Sequence, residues 1–178
     1  MTLKEFFILD KLVANTDEVQ DQIKNLPKPY SVGGVKTPDS LNDITIGELM
    51  ELQSAQNEQD FVLKCCTILL SLDERNALKS QANAVIGFVM WVSKELERIG
   101  KLFDSTSIPP TPEEKQAGVE SLKFGMFGVL DYYALRMGIT DHEEVEKVKW
   151  IRVYKCLDMD AQKARYEKRL RTIYAKKQ

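Results

Sequence analysis

One histidine, His142, three cysteines, Cys65, Cys66 and Cys156, and scattered carboxylates are the groups this 178-residue chain offers to catalysis or metal binding. A nucleophile needs a base held against it and a further group orienting that base. His142 stands between Asp141 and Glu143 with no serine or cysteine near it in sequence, and reads as a surface histidine. A structural zinc site needs several Cys or His ligands at suitable spacing. Cys65 and Cys66 are neighbours, which turns them to different faces of a helix, and one of three thiols must stay unpaired in a monomer; reduced, buried thiols of a cytoplasmic protein are expected. Asp141, Glu143 and Glu144 cluster, yet acids in a first helical turn complement the helix dipole, so capping explains them without a metal. There is no Walker loop and no dinucleotide fingerprint. The stretch FGMFG, residues 124–128, fails as a phosphate loop because no strand precedes it. The expectation is a protein with no catalytic residue, no metal and no cofactor.

Charge points elsewhere. The net formal charge is −2, which argues against wholesale attraction to nucleic acid or anionic lipid. The C-terminus departs from that balance: Lys163, Arg165, Lys168, Arg169, Arg171, Lys176 and Lys177 face Glu167 alone, with Tyr166 and Tyr174 interleaved. Three readings stand: a solvated basic face near a helix C-terminus, contact with an acidic protein, or contact with nucleic-acid phosphates. No apolar run is long enough to span a bilayer, so no membrane partner is expected. The opening MTLKEFFILDKL carries acids within its apolar stretch and lacks the pattern of a secretory signal.

The elements that would position these groups read as helices. Thr2 with Glu5 forms a capping box ahead of a helix to about Ala14, and Asp17–Leu26 carries Val19, Ile23 and Leu26 at helical spacing. Pro27–Asp43 holds three prolines and Gly33-Gly34; it reads as loop or arm, with a short hairpin at the glycine pair as the alternative. From Ile44 onward the chain reads all-α. Thr45 with Glu48 is a second capping box, 60–70 a central helix, and Ser71 with Glu74 a cap for the longest helix, about Asp73 to Ile99. In that helix Leu78, Ala82, Val85, Val89, Val92, Leu96 and Ile99 make a heptad seam, widened by Ile86, Phe88, Met90 and Trp91, which favours a bundle core over a two-stranded coil. Gly100 is placed to end it. Thr111-Pro112-Glu113-Glu114 opens a helix to about Met137, with Leu122, Met126, Val129, Leu130, Tyr133 and Met137 inward. Gly138 ends it, Thr140 and Glu143 cap the next, and a last helix runs from about Asp158 to Ala175. The fold class is therefore all-α, a multi-helix bundle over 44–178 with an extended or irregular arm over 1–43.

The lead ITIGEL, Ile44–Leu49, after a Pro-rich stretch, resembles the start of the tail assembly chaperones of long-tailed bacteriophages. These are small, mostly helical proteins that open with an (I/L)T(I/V)G-x-(aromatic or Leu) helix start, and the layout matches over about residues 30–178. The long Asp73–Ile99 helix has no fixed counterpart in that family. The resemblance implies a host-cytoplasmic, non-enzymatic protein that binds the long helical tape-measure protein during virion assembly, without cofactor. Such a role requires an exposed apolar groove. Its candidates are Phe88 and Trp91, which leave the seam, and Phe124, Phe127 and Tyr132, which leave the inner face of the 112–137 helix; a second packed face is the alternative. Lys163, Arg165, Lys168, Arg169 and Arg171 are the candidates for an anionic partner. Two other roles compete: a nucleic-acid-associated protein using the basic C-terminal helix, and a homo-oligomeric structural subunit joined through the Leu78–Ile99 seam.

Overall fold

The computed structural model describes residues 1–10 and 26–176; the expected helical piece at 17–25 lies outside them. Among the described residues there are nine α-helices, one short 3-10 turn and one two-stranded ribbon, so the chain is all-α in the main, as expected. In chain order these are α1 (Leu3–Asp10), β1 (Ser31–Val32), β2 (Val35–Lys36), α2 (Ile46–Gln53), α3 (Glu58–Leu70), α4 (Glu74–Lys79), α5 (Ala82–Ser105), α6 (Pro112–Gln116), the 3-10 turn (Val119–Ser121), α7 (Gly125–Met137), α8 (His142–Glu146) and α9 (Trp150–Ala175). The chain groups into two compact units, Met1–Leu41 with Glu48–Arg98, and Asn42–Gly47 with Ile99–Gln178. Met1–Leu41 thus shares a unit with Glu48–Arg98.

In the first unit the Thr2 box is made in full. The Glu5 N–H donates to Thr2 Oγ1 at 3.3 Å and the Thr2 N–H to Glu5 Oε2 at 2.8 Å, satisfying donors that a helix start leaves orphaned. Thr2 also pairs antiparallel with Gln81. The Leu3 N–H donates to the Ser80 carbonyl (2.9 Å) and the Ala82 N–H to the Met1 carbonyl (3.1 Å). This bridge divides the expected Asp73–Ile99 helix into α4 and α5, with Ser80 extended at φ −67° and ψ 158°. Neither proline nor glycine marks the break, because its cause is a strand residue 79 positions away in sequence. Ser71 does not start α4: it ends α3 in the left-handed region (φ 53°), and Asp73 is the N-cap, accepting from the Asn76 N–H. The Gly33-Gly34 hairpin is present, with φ of 56° and 83° and Val32 opposite Val35, the positive pair that a two-residue turn needs. The Pro-rich stretch around it is tied down: Thr37 is buried and its hydroxyl donates to the Pro29 carbonyl at 2.7 Å.

The second unit repeats the scheme. Thr45 pairs antiparallel with Lys149; the Ile46 N–H donates to the Val148 carbonyl (2.8 Å) and the Trp150 N–H to the Ile44 carbonyl (3.2 Å). In each unit, then, the threonine of a Thr-x-x-Glu lead, Thr2 or Thr45, is stitched to the start of a long helix. Upstream of each stitch comes a 13-residue helix, α3 or α7, ended by a left-handed residue, Ser71 or Gly138. Next comes a short helix capped by an aspartate, α4 by Asp73 or α8 by Asp141. Buried residues correspond as well: Leu3 with Ile46, Ala77 with Val145, Ala82 with Trp150, Val85 with Val153.

Four expectations are corrected in this unit. Asp141, not Thr140, caps α8, by accepting from the Glu143 N–H. The expected divide near Asp158 is absent, since the interruption falls at Lys147–Lys149 where Thr45 pairs, and α9 runs unbroken for 26 residues. The expected 112–137 helix is cut: the Thr111 capping box forms, but Gly118 and Gly125 take left-handed φ of 84° and 55°. Gly100, in contrast, is helical, and α5 passes through it to Ser105. Around the stitch, Trp150 is wholly buried with the rings of Phe103 and Tyr154 against it at 6.0 and 6.3 Å. A buried tryptophan removes on the order of 200 Å² from water, about 5 kcal/mol at 25 cal/mol per Å².

Candidate protein-binding face

The glycines around Phe124 decide how α7 presents itself. With Gly125 left-handed, the helix begins there and not at Pro112, so Leu122 and Phe124 leave the phase that would have buried Leu122. A Cβ on Gly128 would lie 2.7 Å from the Phe124 Cβ; the missing side chain makes room for the Phe124 side chain across the helix start. Phe124 stands at the N-cap ahead of Gly125, and within the helix 127, 131 and 135 follow at spacings of four, one face of α7. Phe124 is 67% exposed, Phe127 59% and Leu135 77%, with Leu122 and Met137 beside them at 59% and 51%. The inner face is Leu130, Tyr133 and Ala134, all buried; Leu122 and Met137, expected inward, are not part of it. Leu135 escaped sequence reasoning because the phase of α7 depends on where the helix begins.

The rim of this stripe is acidic and ordered. His142 Nε2 stands 3.5 Å from Asp131 Oδ1, and its ring lies 5.0 Å from that of Phe127. Asp141, Glu143 and Glu144 are exposed on and before α8. Tyr132, expected on the open face, turns to α9: its hydroxyl donates to Asp160, which also accepts from Arg136. The Arg136 guanidinium, then the Tyr132 hydroxyl, hold the Asp160 carboxyl below the usual carboxylate range. Burial, then the Asp160 carboxylate, push Tyr132 up to about 12. Tyr132 therefore positions α7 on α9.

The first unit treats its candidates differently. Phe88 is fully buried, which removes it from any surface: one turn beyond Val85, its ring falls inside. Trp91 is half-buried, stacked on Phe88 at 5.9 Å, and the Lys28 ammonium sits 4.1 Å over its ring, a cation–π contact supplied by the chain itself. Ala82, Val85, Val89, Val92 and Ile99 of the seam are buried, so the seam is core and offers no face for a coiled coil. Cys65 and Cys66 are buried with their thiols pushed up, Cys66 to about 11, by desolvation. Among the described residues no three His, Cys, Asp or Glu side chains are grouped to hold a metal ion, and no helix is long and apolar enough to cross a membrane.

Comparison with family models, with curated proteins and with solved structures found no match.

The basic candidates lie on the outer half of α9. Lys163, Lys168, Arg169 and Arg171 are exposed, whereas Arg165 donates to the Ser105 and Ser107 carbonyls and so fastens α9 to the end of α5. From Arg171 to Lys176 every residue is exposed, Ile173 and Tyr174 included.

Proposed function

We propose that this chain is a non-enzymatic protein-binding protein that acts as a phage-type tail assembly chaperone, holding an apolar helix of a long tape-measure-like protein in the host cytoplasm. The observation that supports this reading is the Phe124–Phe127–Leu135 stripe. Phe127 and Leu135 on one face of α7, with Phe124 at its N-cap, stand more than half exposed, and an aligned apolar set of this kind is what the apolar face of a helical partner packs against. The ITIGEL lead accords with the same family. Its test is co-expression with a tape-measure protein of the same virus, reading how much of that protein stays soluble. The expected result is retention by the native chain and loss with Phe124→Asp plus Phe127→Asp. Equal retention by both overturns the reading.

A second reading, nucleic-acid association, has the exposed Lys168, Arg169 and Arg171 in its favour. It predicts binding that falls linearly with log salt, as released counterions require.

A further inference from the structure

We infer that copies of this chain join head to tail, the basic C-terminal end of α9 from one copy lying on the apolar stripe of α7 in the next. The inference shares that stripe with the proposed function and rests on its being a docking face. Two surfaces of the second unit carry it. On α9, Tyr166, Leu170 and Ile173 stand at helical spacing with Tyr174 beside them; Tyr166, Ile173 and Tyr174 are 57%, 51% and 61% exposed. Lys163, Arg169 and Lys176 flank that stripe at helical spacing, Arg171 and Lys168 lie further round the helix, and Glu167 is the one acid. On α7 the exposed stripe is Phe124, Phe127 and Leu135, with Asp131 in line and Asp141, Glu143 and Glu144 exposed on the adjoining α8 segment.

The two faces match in both respects that decide an interface: each has an apolar line, and the charges around the lines are opposite. A helical end whose apolar side faces water gains little from propensity alone, because most helix stability comes from packing an amphipathic face. Docking on α7 supplies that packing. Nucleic acid fits the end of α9 less well, since phosphates would pair with the cations and leave Ile173 in water. The joined surfaces are different patches, so the contact is heterologous and propagates into rings or open chains of copies. Charge complementarity adds steering and register to the apolar contact.

The experiment is sedimentation of the nuclease-treated full chain from micromolar to hundreds of micromolar, at low and high salt. The expected result is a mass that rises with concentration and falls with salt. Phe127→Asp in the α7 stripe, and separately Lys163→Glu with Arg169→Glu in α9, should each weaken association by about tenfold or more while the far-ultraviolet circular dichroism stays native. Mixing the two variants is decisive. One keeps an intact α9 end and the other an intact α7 stripe, so a head-to-tail contact predicts a heterodimer from two monomers that stops at two copies. A monomeric native chain overturns the inference, as does a mixture that forms no heterodimer. Mass gain only on adding an oligonucleotide overturns it too, and assigns the α9 cations to phosphate. The α9 variant also separates this inference from the chaperone reading, because its α7 stripe is intact: it should still keep a tape-measure protein soluble whether or not copies associate.

Discussion

The two units share one construction and finish it differently. Each stitches a Thr-x-x-Glu lead to the start of a long helix, Thr2 to Gln81 and Thr45 to Lys149. Of the fourteen large apolar side chains exposed among the described residues, four fall in the first unit and ten in the second. In the first unit the chain covers its own aromatic face: the Pro27 carbonyl approaches Gly87 closely, and Lys28 caps Trp91. In the second, α7 and the end of α9 keep Phe124, Phe127, Leu135 and Ile173 in water. The same scaffold thus serves once as a closed core and once as an open face. Scattered exposed apolar residues need no explanation, but an aligned set on one helix face marks a place for a partner.

If the shared construction carries the stability of both units, the largest losses should come from its buried aromatics. Phe88→Ala and Trp150→Ala are each expected to cost about 3–5 kcal/mol, read as a lower urea midpoint. Phe124→Ala, on the open face, should stay within about 0.5 kcal/mol. A large loss at Phe124 would break the contrast between closed and open faces.

The self-covering of the first unit is tested at glycine. A Cβ at Gly87 would meet the Pro27 carbonyl oxygen at 2.6 Å, whereas at Gly47 in the second unit it would meet Glu146 Cβ at 3.0 Å. Gly87→Ala must move backbone and should cost about 1–3 kcal/mol, with faster proteolysis near Pro27. Gly47→Ala should cost less, because its nearest contacts, the Glu146 Cβ at 3.0 Å and carbonyl oxygen at 3.1 Å, are longer than the 2.6 Å at Gly87. Equal losses would mean that the Pro27 segment adjusts freely.

Equivalent helix ends differ in the same spirit: Gly138 holds a left-handed φ of 67° without a Cβ, and Ser71 holds 53° with one. Gly138→Ala should therefore lose about 1–2 kcal/mol, and Ser71→Gly should gain up to about the same, both read from thermal midpoints. The smallest effect belongs to the Tyr132–Asp160–Arg136 contact, which is partly in water. Asp160 is depressed in the folded state, so its contribution is present above the ordinary carboxylate value of about 3.9 and lost as pH falls through its lower folded value. Tyr132 is raised to about 12, so its contribution is whole below about 10 and lost as pH rises through 12. Asp160→Asn should flatten the acid limb of stability against pH.

Legibility followed range along the chain. The Thr2 and Thr111 capping boxes and the Gly138 stop were readable, because each is settled by residues within four positions of one another; the Gly33-Gly34 hairpin stood only as the alternative to a loop or arm. The breaks at Ser80 and at Lys149 were not, for their cause is a bridge to residues 2 and 45. Phe124 and Phe127 could be picked from sequence as residues off the inner face, whereas Leu135 and the fate of Phe88 could not. The first depended on the true start of α7, and the second on which neighbours closed over α5.

The sequence by itself determined the helical class of fold and the helix signals at Thr2, Thr111 and Gly138, since periodicity and capping are local and each hydrogen bond involved closes within a turn. Only the tertiary structure decided which apolar faces close and which stay open. A side chain is buried by whatever chain returns to cover it, and in Pro27–Lys28 over α5, or Thr45 beside Lys149, that covering chain comes from tens of residues away.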